Sequence, residues 1–346
     1  MRAAVLTQLN QPLEIEELEL PLLGVGQVLV QVVYSTICGA QLGEIHGAKG
    51  PDPFLPHLMG HEGCGRVLEV GPGVRYVKVG DTVVMHWRKG VGIESGFPKY
   101  RRKDGTFAGG GLITTFCELA VVSENRLTAV PSNIPPKVIS LMGCAVTTAF
   151  GLINNEAKLK LGQSIAVAGV GGVGLSIVQG AFLVGAYPII AIDLFENKLD
   201  QARLLGASHI INGTGAEFSD EIYKIAGKNG VDVFVDCTGS PGVIADGYKV
   251  TAAGGIMILV GQPHDGASVV FGNMQRHYCG KTLLDSQGGL TNPTIDIPRY
   301  IRMYDAGLID LETIVTHSFP LEQINKAIAV VRSGSAGRVG LEMNHG

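Results

Sequence analysis

Residues 164–193, SIAVAGVGGVGLSIVQGAFLVGAYPIIAID, constrain this chain more than any other stretch. A short apolar β-type run, 164–168, breaks into Gly169-x-Gly171-x-x-Gly174, an apolar helical pattern follows, and a second apolar run, 189–192, ends on Asp193. This is a βαβ unit. Gly169 lets the chain turn sharply off the strand, Gly171 lets the backbone approach a pyrophosphate, and Gly174 lets the helix pack close to the sheet. The helix that follows offers unpaired N–H groups and the positive end of its dipole to phosphates. Asp193, about 20 residues beyond the fingerprint, falls where an acid accepts hydrogen bonds from the adenosine ribose hydroxyls. A carboxylate there repels a 2′-phosphate, so the stretch reads as a site for NAD(H) rather than NADP. An ordinary tight strand-to-helix turn could imitate the glycines, but here strand, helix and acid are all in place.

With 346 residues, 46% of them hydrophobic and 17% charged, the chain can bury a large core, and its length suggests two domains. Its 49 glycines point to the many turns of an α/β enzyme with a β-rich partner domain. A net charge of −4 gives no case for nucleic acid or membrane binding. No signal peptide is visible at Met1-Arg2-Ala3, and no apolar run is long enough to span a bilayer uninterrupted. Cys38, Cys64, Cys117, Cys144, Cys237 and Cys279 are too scattered for a disulfide-stapled domain, so a cytoplasmic location is expected.

From the amino terminus to about Pro131 the chain reads as β-rich, with short apolar runs at 3–6, 27–33, 65–70, 82–85 and 116–122 between Gly, Pro and Asp turns. Residues 86–111 break the pattern, being Gly-rich and carrying Arg88, Lys89, Lys99, Arg101, Arg102 and Lys103 against Glu94. Such a loop is either functional or a solvated basic surface. Helical patterns then lead into the βαβ unit, and α and β runs alternate up to a last strand at 281–284. That alternation predicts a parallel sheet covered on both faces. The tail, with helices at 294–305 and 321–332 and runs at 314–319 and 339–343, is expected to return to the first domain. The expected division is therefore 1–147 with 287–346 as one domain and 148–286 as a second, inserted one, the cleft between them forming the site.

Three possible ligands stand out: Cys38 in ICGAQ, His61 in MGHEG and Cys144 in LMGCAV. Two thiolates and an imidazole, with a fourth position left for water, are the set expected of an open catalytic zinc site. Sequence spacing does not establish that they meet, and each taken singly reads equally as a buried core residue.

At these residues the chain resembles the zinc-dependent alcohol dehydrogenases of the medium-chain dehydrogenase/reductase superfamily. The resemblance is carried by the Cys38 turn, Gly60-His61-Glu62, Gly71-Pro72-Gly73-Val74, Val79-Gly80-Asp81, Cys144, the run Gly169-Val170-Gly171-Gly172-Val173-Gly174, and Ser333-Gly334 with Arg338. It implies an α/β protein in which a GroES-like β-rich catalytic domain carries an inserted Rossmann domain, usually as a homodimer or homotetramer. It also implies catalytic zinc on Cys38, His61 and Cys144, with Glu62 as an acid beside the metal that can transiently ligate it. Thr148 is implied near the nicotinamide, Asp193 and Lys198 at the adenosine ribose, Val260 at the nicotinamide-side strand end, and Arg338 at the pyrophosphate. Trp87 falls where the family often places an aromatic wall of the substrate pocket.

The chain also departs from the family. The cysteine-rich lobe that binds a second, structural zinc is missing, so the loop after Trp87 must be ordered by packing, oligomer contacts or ligand. Ala40 and Gln41 stand where Ser or Thr and then Asp are common. Ala40 therefore breaks the usual proton relay, and Gln41 is expected to support the His61 imidazole more weakly through its amide oxygen. Gly43 occupies the place of a relay histidine found in some members, with His46 as a candidate substitute.

The combined expectation is an NAD(H)- and zinc-dependent oxidoreductase acting on a small alcohol, aldehyde or ketone. The basic loop adds a polyol, a sugar or an anionic sugar derivative as candidates. Two competing readings stay open: a zinc-free quinone or enone reductase on the same fold, and a nucleotide-binding protein with weakened catalysis.

Overall fold

The computed structural model describes residues 1–214, 218–272 and 278–345. The chain divides into two compact units, Met1–Thr147 with Asn292–Gly346, and Thr148–Thr291. The first crossing falls at 147/148; the return comes at 291/292, a few residues beyond the 286/287 expected from the sequence. The shift has a local cause. The short 3-10 turn Gly288–Leu290 is held to the second unit by Asn155, whose Nδ2 donates to the Gly289 carbonyl at 2.9 Å.

In the first unit the strands before the crossing are β1 (Arg2–Leu6), β2 (Glu14–Glu17), β3 (Gln27–Ile37), β4 (His57–Leu58), β5 (Glu62–Val70), β6 (Thr82–His86), β7 (Lys99–Arg101), β8 (Phe107–Gly109), β9 (Leu119–Ser123) and β10 (Leu127–Val130). Helices α1 (Gly39–Ile45) and α2 (Pro136–Leu141) follow β3 and β10, and α3 (Ala145–Gly151) carries the chain across. The returning tail supplies α8 (Pro293–Asp305), β17 (Val315–Pro320), α9 (Ile324–Ser333) and β18 (Arg338–Glu342). Among the described residues one sheet runs β10-β6-β5-β3-β18-β17, with β9 also on β3, and another runs β2-β1-β4-β8-β7.

The long strand β3 organises this unit. Val28, Val30 and Val32 are fully buried in its alternating pattern, as period-two β-branched residues on a core-facing strand must be. One edge pairs with β5, from Val28↔Val70 to Ser35↔Gly63. The other is shared, β9 taking Gln27 to Gln31 and β18 taking Tyr34 to Ile37. The carboxyl-terminal strand is thus built into the sheet begun near the amino terminus.

The basic loop is not an open cationic surface. Residues 99–109 form the hairpin β7-β8 at the edge of the second sheet, and its cations meet the acids of β2 and their neighbours. Arg102 makes a two-point contact with Glu16, Nε to Oε2 and Nη2 to Oε1, each at 2.8 Å. Lys103 pairs with Glu17 at 2.6 Å, Arg101 with Glu19 at 3.9 Å and Lys89 with Glu94 at 3.7 Å. Packing also orders the loop through one buried carboxylate. Glu124, 1% exposed, accepts the Arg75 and Tyr76 N–H groups on Oε1 at 2.5 and 2.8 Å and the Ile93 N–H on Oε2 at 2.8 Å.

The second unit contains α4 (Gly172–Leu183), α5 (Glu196–Leu204), α6 (Phe218–Ala226) and α7 (Pro241–Val250) around strands β11 (Ile165–Ala168), β12 (Ile189–Asp193), β13 (His209–Asn212), β14 (Val231–Asp236), β15 (Thr251–Leu259) and β16 (Thr282–Asp285). Among the described residues the sheet order is β13-β12-β11-β14-β15-β16, all neighbours parallel. This is the doubly wound order, with the switch point beside β11. Every residue of β11 and β12 is buried, as strands covered on both faces require, and each buried Val or Ile stabilises the fold by at most about 1.5–3 kcal/mol. No described helix is long and apolar enough to cross a membrane.

Two tests follow. Glu124→Gln keeps one acceptor oxygen and turns an amide NH2 toward the remaining N–H, so the first unfolding transition should lose about 1–3 kcal/mol. Hydrogen exchange at Ile93 or at Arg75 and Tyr76 should accelerate in the variant; unchanged exchange at all three amides would show that the carboxylate does not order the loop.

The second test concerns pH. His86 is fully buried, its Nδ1–H donating to the Arg88 carbonyl at 2.7 Å and its Nε2 accepting from Thr128 Oγ1 at 2.9 Å. Burial pushes its pKa down from 6.5 to about 4. The folded value lies below the unfolded one, so the contribution of neutral His86 is fully present above pH 6.5 and declines as pH falls toward about 4. The loss is at most about 3 kcal/mol. Melting of wild type and His86→Gln at pH 7.5 and pH 5 should show a smaller pH dependence in the variant.

Candidate metal centre

Three segments of the first unit deliver the donor atoms. Where β3 ends, Cys38 becomes the N-cap of α1 with extended backbone. His61 stands between Gly60 and the start of β5, and Cys144 between α2 and α3. Gly60 is required there, since its φ is +94° and a Cβ would lie 2.3 Å from Thr115 Oγ1. The Cys38 and Cys144 sulfurs and a His61 ring nitrogen all lie within 4.8 Å of one another. Bonds of about 2.0–2.3 Å to a tetrahedral zinc ion need only a slight contraction of such a cluster.

The donor chemistry fits zinc. His61 Nε2 is buried with no hydrogen-bond partner, an arrangement that costs free energy unless something else satisfies the lone pair. The neighbouring Cys144 thiol holds Cys38 well below the ordinary thiol range although burial opposes this, and the Arg338 charge acts in the same direction as Cys144. Cys144 is pushed well up by Cys38 and by burial. A divalent cation would take both sulfurs as thiolates.

Behind the ligands lies a buried ion pair. Glu62, fully buried, meets Arg338 Nη2 with Oε1 at 2.6 Å, and Arg338 is itself only 5% exposed. Glu62 Oε2 accepts the Ala145 N–H at 3.2 Å, which fixes the residue after Cys144. Burial raises the Glu62 carboxyl above its usual range while Arg338 pulls it back. Arg338, expected at a pyrophosphate, thus also lies in the surroundings of the metal ligands. Ser35 adds a support that has no signature in sequence: its hydroxyl lies 2.9 Å from the Glu62 carbonyl and 2.7 Å from Thr115 Oγ1.

Gln41 does not act as expected. Its amide oxygen accepts the Cys38 N–H at 2.7 Å, and it is the amide NH2 that meets His61 Nδ1. The oxygen is drawn to the one neighbour that can only donate. Ala40 is half-buried on the first turn of α1. His46, the suggested relay substitute, is exposed at the far end of that helix and bonded to Asn10 Oδ1 at 3.1 Å and Arg332 Nη2 at 3.2 Å. Trp87 is half-buried, its backbone N–H donating to the Gly143 carbonyl at 3.4 Å, which sets its backbone beside that of Cys144. Cys64 and Cys117 are single buried thiols, each pushed up to about 12 by burial.

In the second unit the glycine run takes the form expected of a phosphate cradle. Gly171 caps α4, which begins at Gly172 and Val173, and a Cβ on Gly174 would lie 2.1 Å from the Gly169 carbonyl oxygen. Asp193, at the end of β12, accepts the Val170 N–H on Oδ2 at 2.9 Å and the Leu194 and Phe195 N–H groups on Oδ1 at 2.8 and 3.2 Å. Lys198 stands 3.5 Å from Oδ2. The acid that reads as a ribose partner is thus also the clamp that holds the glycine turn to the next strand. Val260 follows β15, its N–H donating to the Asp236 carbonyl at 2.8 Å, and Thr148 is buried in α3.

Residues 24–132 match the model of the alcohol dehydrogenase GroES-like domain, and residues 172–305 that of zinc-binding dehydrogenase. The chain is 31% identical to S-(hydroxymethyl)glutathione dehydrogenase of Paracoccus denitrificans, across 97% of this chain and 98% of that one. Among solved structures, an alcohol dehydrogenase zinc-binding domain protein from Burkholderia ambifaria superposes with a TM-score of 0.91 at 29% identity, covering 99% of both chains. Benzyl alcohol dehydrogenase from Acinetobacter calcoaceticus gives 0.88 at 26%, again over 99% of both. Sequence, fold and the converging Cys38, His61 and Cys144 together place the chain in the zinc-binding alcohol dehydrogenase family of the medium-chain dehydrogenase/reductase superfamily.

Proposed function

We propose that the chain catalyses NAD(H)-linked interconversion of a small alcohol, polyols included, and its carbonyl product, with one zinc ion per chain. The observation that carries the reading is the orphaned His61 Nε2 facing two thiols, in a chain that also bears the dinucleotide fingerprint and Asp193. Cys38, His61 and Cys144 would hold the ion, which when bound supplies Lewis acidity toward a substrate oxygen. The Arg338–Glu62 pair fixes the backbone on the protein side of these ligands. Trp87, whose backbone follows His86 and bonds the Gly143 carbonyl, would supply an aromatic wall for the substrate. In the second unit the start of α4 would receive the pyrophosphate and Asp193 the adenosine ribose.

Ala40 shapes the choice of substrate. It offers no hydroxyl to accept a proton, and His46 is engaged elsewhere. A substrate that brings its own neighbouring hydroxyl compensates for this, and a relay group is worth about 10²–10⁴-fold. Three of the hairpin cations that could have argued for an anionic substrate, Arg101, Arg102 and Lys103, are paired with Glu19, Glu16 and Glu17, which favours neutral alcohols and polyols.

Purified protein should contain one zinc per chain, reduce NAD with alcohols, and turn over vicinal polyols faster than monohydric alcohols of equal length. Cys144→Ala should lose both zinc and turnover. Two tightly held zinc ions, or a Cys144→Ala protein that keeps metal and activity, would contradict the assignment. For the cofactor, Asp193→Ser should narrow the NAD:NADP preference in kcat/KM by about 10–100-fold, the worth of one or two charge-assisted hydrogen bonds. A wild-type protein that prefers NADP would sink this part of the reading.

A further inference from the structure

Gln41 occupies the third position of α1 and is 1% exposed. Its two amide contacts are unequal in chemistry. The Cys38 N–H, 2.7 Å away, can only donate, so the amide oxygen must face it, as in a helix capping box. The amide NH2 therefore faces His61 Nδ1. An NH2 group also only donates, so Nδ1 must present its lone pair, and the proton of the neutral ring then sits on Nε2. That is the atom lying buried and unpartnered beside the sulfurs.

A metal ion needs the Nε2 lone pair, which puts the ring proton on Nδ1 and sets two donors, N–H and NH2, against each other. Rotating the amide relieves His61 and transfers the same conflict to the Cys38 N–H. With its oxygen at one of these two contacts and its NH2 at the other, the carboxamide presents an acceptor to only one of the two donors in either orientation; a carboxylate, with an oxygen at each contact, presents one to both. We propose that Gln41 is a positioning residue that holds His61 in the tautomer opposed to metal ligation, so that this site binds zinc more weakly than the same three ligands backed by an acid. The inference rests on the zinc reading above.

Zinc affinity, measured by competition with a chromophoric chelator on the full-length protein, separates the two ideas. Gln41→Glu, of nearly equal shape, should bind zinc about 10–100-fold more tightly, the usual range for such a partner. Gln41→Met, which removes donor and acceptor together, should bind zinc at least as tightly as wild type. Equal or weaker binding by Gln41→Glu, or a 10–100-fold loss in Gln41→Met, would overturn the proposal and make Gln41 an ordinary support. Circular dichroism and melting of each zinc-free variant establish that it is folded. If neither is, imidazole 15N shifts of zinc-free wild type decide, with protonated Nε2 expected and protonated Nδ1 overturning. Cys144→Ser marks the other failure: unchanged zinc affinity in that variant would refute the metal centre itself.

Discussion

The contact between Glu62 and Arg338 is the constraint on which the first unit depends. Its partners lie at opposite ends of the chain, one immediately after His61 and the other opening β18. A charge at either position, buried without the other, would cost several kcal/mol, so the tail must return to β3 for the metal ligands to be packed at all. The pairing of β18 with the last residues of β3 places that return beside the strand that ends at Cys38. Through Glu62 Oε2 and the Ala145 N–H the same carboxyl reaches the third ligand segment. One ion pair thus couples all three ligands to the closure of the sheet.

The fold of the second unit was legible because its signals are local. The strand, the glycine turn and the acid fall within one βαβ unit, and each glycine position answers to a steric demand visible in sequence, as Gly174 does against the Gly169 carbonyl. The donors of the metal centre were legible as residue types, and Gly60 beside His61 marked a backbone constraint. Their meeting was not, because it depends on pairings such as Arg338 with Glu62 that no local window contains. The basic hairpin misled for the same reason: the acids that neutralise it come from β2, far upstream. The polarity of Gln41 was beyond reach because the Cys38 N–H, a backbone group with no letter of its own, decides it.

The loop after Trp87 is ordered by hydrogen bonds. Glu124 gathers amides from two separate turns, and Arg126, 8% exposed, bonds Glu94 at 3.1 Å to hold the base of the same loop. His86 and Arg102 close its two ends. These bonds need no ion. The cost is sensitivity to acid, since one end of the loop rests on a neutral buried histidine whose pKa burial lowers to about 4.

The two departures that matter most for chemistry fall on adjacent residues of one helical turn. Ala40 offers no hydroxyl on the first turn of α1, and Gln41 faces His61 with a neutral amide. Both changes leave the metal centre less able to carry charge through its own side chains. Hydrogen-bonding capacity missing from a site must be supplied by solvent or by the substrate. A hydroxyl adjacent to the reacting carbon supplies it without reordering water. On the proposed function, the first turn of α1 would therefore link how the protein holds its metal to which alcohols it can use, and a hydroxyl-bearing substrate would supply what this turn does not provide.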